Sequence, residues 1–491
     1  MKLHRTLGFG AAYATSVGLV VSGTAMVALG NGFGTAGAAF AVPVFFALLI
    51  IAMISLSYSE LVSVIPGGGM IGEYTLPALG RLVAMVAVLG GYLVLVATDG
   101  GTQLLVAGKS LEVLTGSPGQ VFSWLLLALL IAVNVSGVKL FARLQIALAF
   151  GIMGLLAIMG LIGLLGLGTG TVVDSPVVAT DWGSIMKTGA VAVWLFIGME
   201  FVCPLAEELR KPWRQVPLGM LLGVTSIFLV DVLFGWGLTR YVPLDQLAQS
   251  ATPHILGGEA MVGTAGLVLM TSVTIFASFS TGNAELSAVP RMLYGLANSG
   301  LLPKVFAKLH PVSRVPVFGV LFTGGLMALT LTYATFSGTD ITLILRLISV
   351  ACVTWLISYI IAQVNVIILR RTHPHVERRF RTPFYPLPQV IGILGCLYLI
   401  AFITPETEER IVIWTIAGIL LGVITLFSAI WLRYQKLPLF KRVPLEDIVA
   451  HIEERSERMD EYTEASAKRD PSDFIIDDRD DNPELIGADR D

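Results

Sequence analysis

Charge is scarce in this chain. Of its 491 residues, 14% are Asp, Glu, Lys or Arg, against roughly 25% in an average soluble domain. Together with a mean hydropathy of +0.79, that excludes disorder, collagen and coiled coil and argues against an ordinary soluble enzyme. Cysteine is nearly absent. Cys203, Cys352 and Cys396 all lie in apolar runs, so there is no disulfide framework and no Cys/His metal spacing. The six histidines are scattered. No nucleophile–base pair, metal-ligand cluster or phosphate loop stands out, and the short alternating strands of a β-barrel are missing. An enzyme, a cofactor and a nucleic-acid partner are therefore not expected.

What is present is apolar length. A hydrophobic share of 55% is enough for a large bundle, since each crossing of the bilayer takes about 20 apolar residues. Runs recur near 10–31, 38–63, 80–107, 121–139, 143–168, 185–206, 217–240, 258–290, 315–336, 341–369, 386–404 and 410–433. The first is too long for a cleaved leader and is followed by further spans, so it reads as a retained helix. Helices satisfy their own backbone in lipid, which makes a polytopic bundle the physical expectation.

With the N-terminus placed inside, seventeen Lys and Arg fall on inner loops and helix ends. Lys109, Lys187, Arg240 and Arg410 fall outside. This positive-inside bias puts both termini in the cytoplasm and the chain in the inner or plasma membrane. Residues 1–434 hold 23 Lys+Arg against 18 Asp+Glu, and 435–491 hold 9 against 17. The acidic tail is a separate unit. It carries a helical pattern from Leu445 to Lys468, with Ile448, Val449 and Ile452 as a short apolar stripe, then a solvated, disordered end. It reads as a solubilising or regulatory tail, or as a helix that docks on a partner.

Two runs are interrupted at mid-membrane. SVGLVVSGTAM (16–26) places Gly18, Ser22, Gly23 and Thr24 inside the first run. WLFIGMEFVCPLAEE (194–208) places Gly198, Glu200 and Pro204 inside the sixth. A break at that depth is expensive unless the freed backbone groups line a site. Breaks at corresponding places in two groups of five helices mark an inverted repeat and a transport site.

The chain resembles the amino acid–polyamine–organocation permeases from about Gly8 to Arg433. The resemblance is carried by SVGLVVSGTAM, by YSELVSVIPGGGMIGEYTLPALG (58–80) and by WLFIGMEFVCPLAEELRKPWRQVP (194–217). STGNAELSAVPRMLYGLANSGLLPKVFAKLHPVSRVP (280–316) and LRRTHPHVERRFRTPFYP (369–386) add to it. It implies an all-α membrane protein of about 12 transmembrane helices, a 5+5 inverted-repeat (LeuT-like) core plus two extra helices. The implied domains are a permease domain over 1–434, with repeats near 10–170 and 185–369 and extra helices near 386–433, and the tail over 435–491. It implies secondary transport of amino acids or amines.

Acids near the bilayer centre cost roughly 2.5–3.5 kcal/mol each on insertion scales, so they face a cavity or a partner. Asp99, Glu200, Asp231 and Glu285 are such acids, and Arg346 is the comparably placed base, a possible counter-ion to any of them. Glu200 matches the family's sixth-helix glutamate. It either pins the broken helix or carries a coupling proton or contacts a cation. Asp99 and Glu285 fall, by the same matching, on substrate-facing positions of the third and eighth helices. Asp231 reads as a structural acid. Ser22, Gly23 and Thr24 offer free N–H groups to a substrate carboxylate, and Val21 is counted with them as substrate-binding. Phe196, Ile197 and Gly198 flank the second break, and by the resemblance Trp194 covers the substrate, with room for a cation on its face. The excess of acids favours an amine or cationic amino acid. A permease of small neutral amino acids and a non-transporting sensor are the alternatives. The fifth run is uncharged from Ile146 to Gly163, so coupling falls to a proton on Glu200, to exchange of substrates, or to sodium held by Ser280 and Thr281. Oligomeric state is left open.

Overall fold

A computed structural model describes residues 7–454 except 137, 174–187, 311, 312, 314 and 338–340. The described residues form helices and a single isolated bridge, Leu7 to Leu209. Among the described residues the helices group into twelve successive segments. The first is broken, α1 (Phe9–Val20) and α2 (Gly23–Ala36). The second and third are α3 (Ala41–Val64) and α4 (Arg81–Thr115). The fourth and fifth are α5 (Gly119–Ser136) and α6 (Val138–Leu165). The sixth is broken again, α7 (Gly189–Trp194) followed by a 3-10 stretch, Met199–Leu205. Next come α8 (Pro212–Tyr241), α9 (Thr264–Asn298), α10 (Val317–Ser337) and α11 (Ile341–Thr372). The last two are α12 (Leu387–Ala401) and α13 (Thr407–Tyr434).

Nine described helical stretches are long and apolar enough to cross a bilayer, one of them taking in both α2 and α3, which the 3-10 turn Gly37–Phe40 separates. The pieces Phe9–Val20, Gly189–Leu205 and Leu387–Ala401 are apolar but shorter. Large apolar side chains such as Leu125, Leu129, Phe150 and Ile158 face outward, where lipid is the solvent. Inside, small residues let helices close on one another. The α6–α8 crossing shows this: a Cβ on Gly163 would lie 2.5 Å from Gly237 Cα.

Several boundaries differ from the sequence pattern. The third span runs on to Thr115 and contains two π turns, Ala87–Leu93 and Val96–Gly100. The run expected over 258–290 is split at Gly263, whose φ of +64° turns the chain. A short helix, Pro253–Val262, precedes the corner, and α9 extends to Asn298. The start of the sixth run and Lys187 lie outside the described residues.

Both ends of the bundle are covered. On the side opposite the N-terminus, Asn31 donates to the carbonyls of Leu247 (2.9 Å), Ala248 (3.1 Å) and Ser250 (3.1 Å), holding a short helix over α2. On the N-terminal side, Glu207 accepts from Gly68 N–H at 2.7 Å, tying the turn after α3 to the end of the sixth span. Beyond it Glu208 is half-buried. Burial pushes its carboxyl up; the Arg291 guanidinium pulls it back and Glu207 raises it further. Glu60 is buried against Arg370 (2.5 Å) and Arg378 (3.3 Å), linking α3 to the basic loop before α12.

The segment after α13 is not simply solvated. Leu82 N–H donates to Leu439 O at 2.9 Å and Val443 N–H to Leu76 O at 3.2 Å. Residues 445–454 are helical, with Leu445, Ile448 and Ile452 buried. This segment docks on the chain's own N-terminal-side loops. The rest of the acidic tail, including the expected disordered end, lies outside the described residues.

Candidate functional site

The first break follows from its sequence. Ser22 is extended (φ −114°, ψ 162°) and its Oγ accepts from Ala25 N–H at 2.9 Å, so it caps α2. Gly23 leaves no room for a side chain: a Cβ there would run into Ser278 Oγ and lie 3.2 Å from Val106 Cγ1. Of the donors expected free here, Thr24 N–H is taken by Gln103 Oε1 at 3.2 Å. The freed carbonyls on the other side are also used. Gly18 O accepts from Ser280 Oγ (2.6 Å) and Leu19 O from Thr281 Oγ1 (2.9 Å). Ser280 Oγ in turn accepts from Gln145 Nε2 at 2.9 Å.

The second break turns on Gly198, with φ +109°, a conformation that L side chains rarely adopt. A Cβ there would strike Leu19 of the first break. Gly198 N–H donates to Tyr359 Oη at 3.2 Å. Val21, Phe196 and Ile197 are buried beside it.

Four of the expected site residues, Ser22, Thr24, Asp99 and Trp194, share one network, Ser22 Oγ lying 3.2 Å from Thr24 Oγ1. Thr24 Oγ1 donates to Asp99 Oδ1 at 3.0 Å and accepts from Gln103 Nε2 (2.6 Å) and Trp194 Nε1 (3.3 Å). Gln103 also donates to Asp99 Oδ2 at 3.0 Å. The first break, the third span and the residue before the second break therefore meet around Asp99. Asp99 sits in the π turn Val96–Gly100. Such turns widen a helix and expose its carbonyls, and Thr330 of α10 donates to Ala97 O here.

Glu200 stands apart from that network. Its Oε1 accepts from Tyr92 Oη (2.9 Å) and Trp355 Nε1 (2.7 Å), and its Oε2 from Tyr359 Oη (2.7 Å). Tyr58 bonds Tyr92 at 2.9 Å, and the rings of Tyr58, Tyr92, Phe201, Trp355 and Tyr359 pack edge to face or tilted around it. Glu285 is 0% exposed, and neither carboxyl oxygen has a hydrogen-bond partner among the described residues. It abuts Gly100, next to Asp99: a Cβ on Gly100 would lie 2.6 Å from Glu285 Oε2 and 2.7 Å from Met327 Cε. Asp231 is buried in α8, outside both networks. Arg346 corrects an expectation. Its guanidinium forks onto Glu409 of α13 (2.7 and 2.9 Å), a surface-side pair, rather than serving the core acids.

Sequence reading missed Gln103, Gln145, Tyr92, Trp355 and Tyr359. Gln103 had a signal, a second polar residue four positions after Asp99 on the same helix face. The aromatic cage had none, because tyrosine and tryptophan in an apolar run read as packing.

Two helices broken at equivalent places, with polar groups converging on the breaks, define a membrane transporter with an inverted-repeat core. The profile of the amino acid permease family matches residues 7–427, and the chain belongs to that family. It is 26% identical to the methylthioribose transporter of Bacillus subtilis, over 84% of this chain and 90% of the other. It is 24% identical to the branched-chain amino acid permease BcaP of the same organism, over 86% and 92%. It is 26% identical to the low-affinity putrescine importer PlaP of Escherichia coli, over 59% and 66%. The fold matches a solved manganese transporter mutant of Eremococcus coleocola, with a TM-score of 0.54 and 12% identity over 87% of this chain and 95% of that one.

Proposed function

We propose that the chain is a secondary active transporter for amino acids or related amines, working by alternating access and favouring a cationic substrate. The observation that carries this is the pairing of acids at the first break. Asp99 is bonded to Thr24 there, and Glu285 faces the next residue, Gly100. Among the described residues no Lys or Arg pairs with either acid. A cationic group that reached both would supply what the fold withholds. Trp194, buried and bonded to Thr24, closes over that place. In this reading Val21–Thr24 and Phe196–Gly198 line the place, and Gly23 N–H is offered to a substrate carboxylate.

The coupling partner in this reading is a proton or an exchanged substrate. The hydroxyls of Ser280 and Thr281 give their protons to the carbonyls of Gly18 and Leu19, which are the oxygens a sodium ion would need. The positive-inside bias places both termini in the cytoplasm, so the covered N-terminal side is the inner face. The permease domain then spans 1–434 and the tail 435–491. The branched-chain permease relative supports a second reading, a small neutral substrate.

Uptake into proteoliposomes, with labelled lysine, putrescine and leucine, separates the two. Entry of lysine or putrescine in preference to leucine is expected. Entry of leucine alone removes the cationic reading.

A further inference from the structure

Three of the buried acids are treated very differently by the fold. Glu200 receives three hydrogen bonds from Tyr92, Trp355 and Tyr359. Asp99 receives donors from Thr24 and Gln103. Each has what an ionised carboxylate needs. Glu285 differs: among the described residues neither oxygen has a donor, and both are sealed from solvent. An isolated carboxylate in such a place is strongly disfavoured, and the group neutralises instead.

The surroundings are shaped for this side chain. Gly100 and Gly101 stand where α9 and α10 approach the π turn. A Cβ on Gly100 would collide with Glu285 and Met327, and one on Gly101 would lie 2.8 Å from Thr330 Cγ2. The helix is both widened and stripped of side chains opposite the carboxyl. Among the described residues, the following titratable groups on the packed elements are engaged elsewhere. Glu112 pairs with Lys109 on the third span, Arg291 with Glu208 at the end of α9, and His254 bonds Thr274. Glu200 is in its aromatic cage, and Glu73 lies against the Gly67–Gly69 turn. Asp99 adjoins Gly100, which Glu285 abuts, so the two acids stand close together.

We infer that Glu285, rather than Glu200, carries the coupling proton. In the closed state the carboxyl holds the proton. When the site opens, the O–H bond breaks heterolytically, the electron pair stays on the carboxylate, and the proton passes to water. The cationic group of a substrate then takes its place between Glu285 and Asp99. Proton and cation occupy one place in turn, so their movements are linked without a sodium ion. The inference rests on the permease reading given above, but not on the cationic preference, because a neutral substrate would still need the site to open.

The test uses full-length protein in proteoliposomes with a trapped pH dye, given gradients of lysine, putrescine and leucine. Wild type is expected to move protons whenever it carries a substrate, in the direction opposite to a cationic one. Glu285→Gln is expected to reduce that proton movement tenfold or more, and Glu200→Gln to keep it. Infrared difference spectra supply a second readout that needs no substrate. Wild type at neutral pH should show a protonated-carboxyl stretch that is missing in Glu285→Gln and present in Glu200→Gln. Should Glu285→Gln not fold, Glu285→Asp keeps the acid and is expected to retain proton movement with a displaced pH profile. An unchanged proton signal and an unchanged carboxyl band in Glu285→Gln overturn the assignment. So does substrate transport by wild type with no proton movement, which would leave the permease reading standing. Transport of leucine alone removes the cationic preference and leaves Glu285 to be judged by its proton signal.

Discussion

Asp99 and Glu200 look alike in the sequence, each a single acid in an apolar run, and the structure gives them different surroundings. Asp99 joins the first break through Thr24, so its replacement should be felt by the substrate. In Asp99→Asn, lysine or putrescine is expected to bind about 10- to 150-fold more weakly, the loss of one charge-assisted hydrogen bond, while leucine is spared. Competition binding checks this. Glu200 is a different case. Three donors point at it, and an amide would turn an NH₂ group toward at least one of them. Glu200→Gln should therefore lose about 1–3 kcal/mol of stability, read as a lowered thermal midpoint in detergent, with the pH profile of uptake kept. That Asp99 and Glu200 matter was legible from their cost in lipid. Their partners were not, because Gln103, Tyr359 and Trp355 reach them from other spans.

At the scale of the element, the broken helices were the most readable part of the chain. Gly18, Ser22 and Gly23 in one run, and Gly198 with Pro204 in another, weaken helix continuity wherever they occur. The structure places the breaks within those segments. The π turns of the third span escaped notice for a physical reason. Ala87–Leu93 lies in unbroken apolar sequence, where a shift from 3.6 to a wider turn changes no pattern. Only the partners reveal it: Ser358 Oγ donates to Ala87 O at 2.9 Å. The second break offers a sharper test. At φ +109°, Gly198→Ala combines backbone strain of order 1–3 kcal/mol with the collision at Leu19. Insertion into the membrane should survive, and substrate binding should fall below detection in a scintillation proximity assay. Normal binding by this variant would move the site away from the second break.

At the scale of the molecule, the order of the apolar helices along the chain could be read from the sequence, while the closures at the two ends could not. Asn31 reaching over to Leu247, Glu207 reaching to Gly68, and Glu60 held by Arg370 and Arg378 all join residues far apart in the chain. The docked segment is a further case. Its apolar stripe was visible, but the surface that receives it is assembled from the loop around Gly67 and Gly80. Replacing Ile448 and Ile452 together by Asp is expected to release it. Trypsin should then cut at Lys436, Lys441 and Arg442 several-fold faster than in wild type, as followed by gel. An unaltered rate would mean that the stripe contributes nothing to the docking.

The same segment sets where the chain can be joined to something else. Its backbone runs between Leu439 and Val443 against Leu82 and Leu76. A fluorescent protein or affinity tag spliced in at the end of α13 would displace packed structure, although that point looks like the natural boundary of the membrane part. A fusion made beyond residue 454 leaves the docked residues 445–454 in place. Expression trials that shorten the chain to its last crossing are thus expected to yield less folded protein than those that keep the first twenty residues after it.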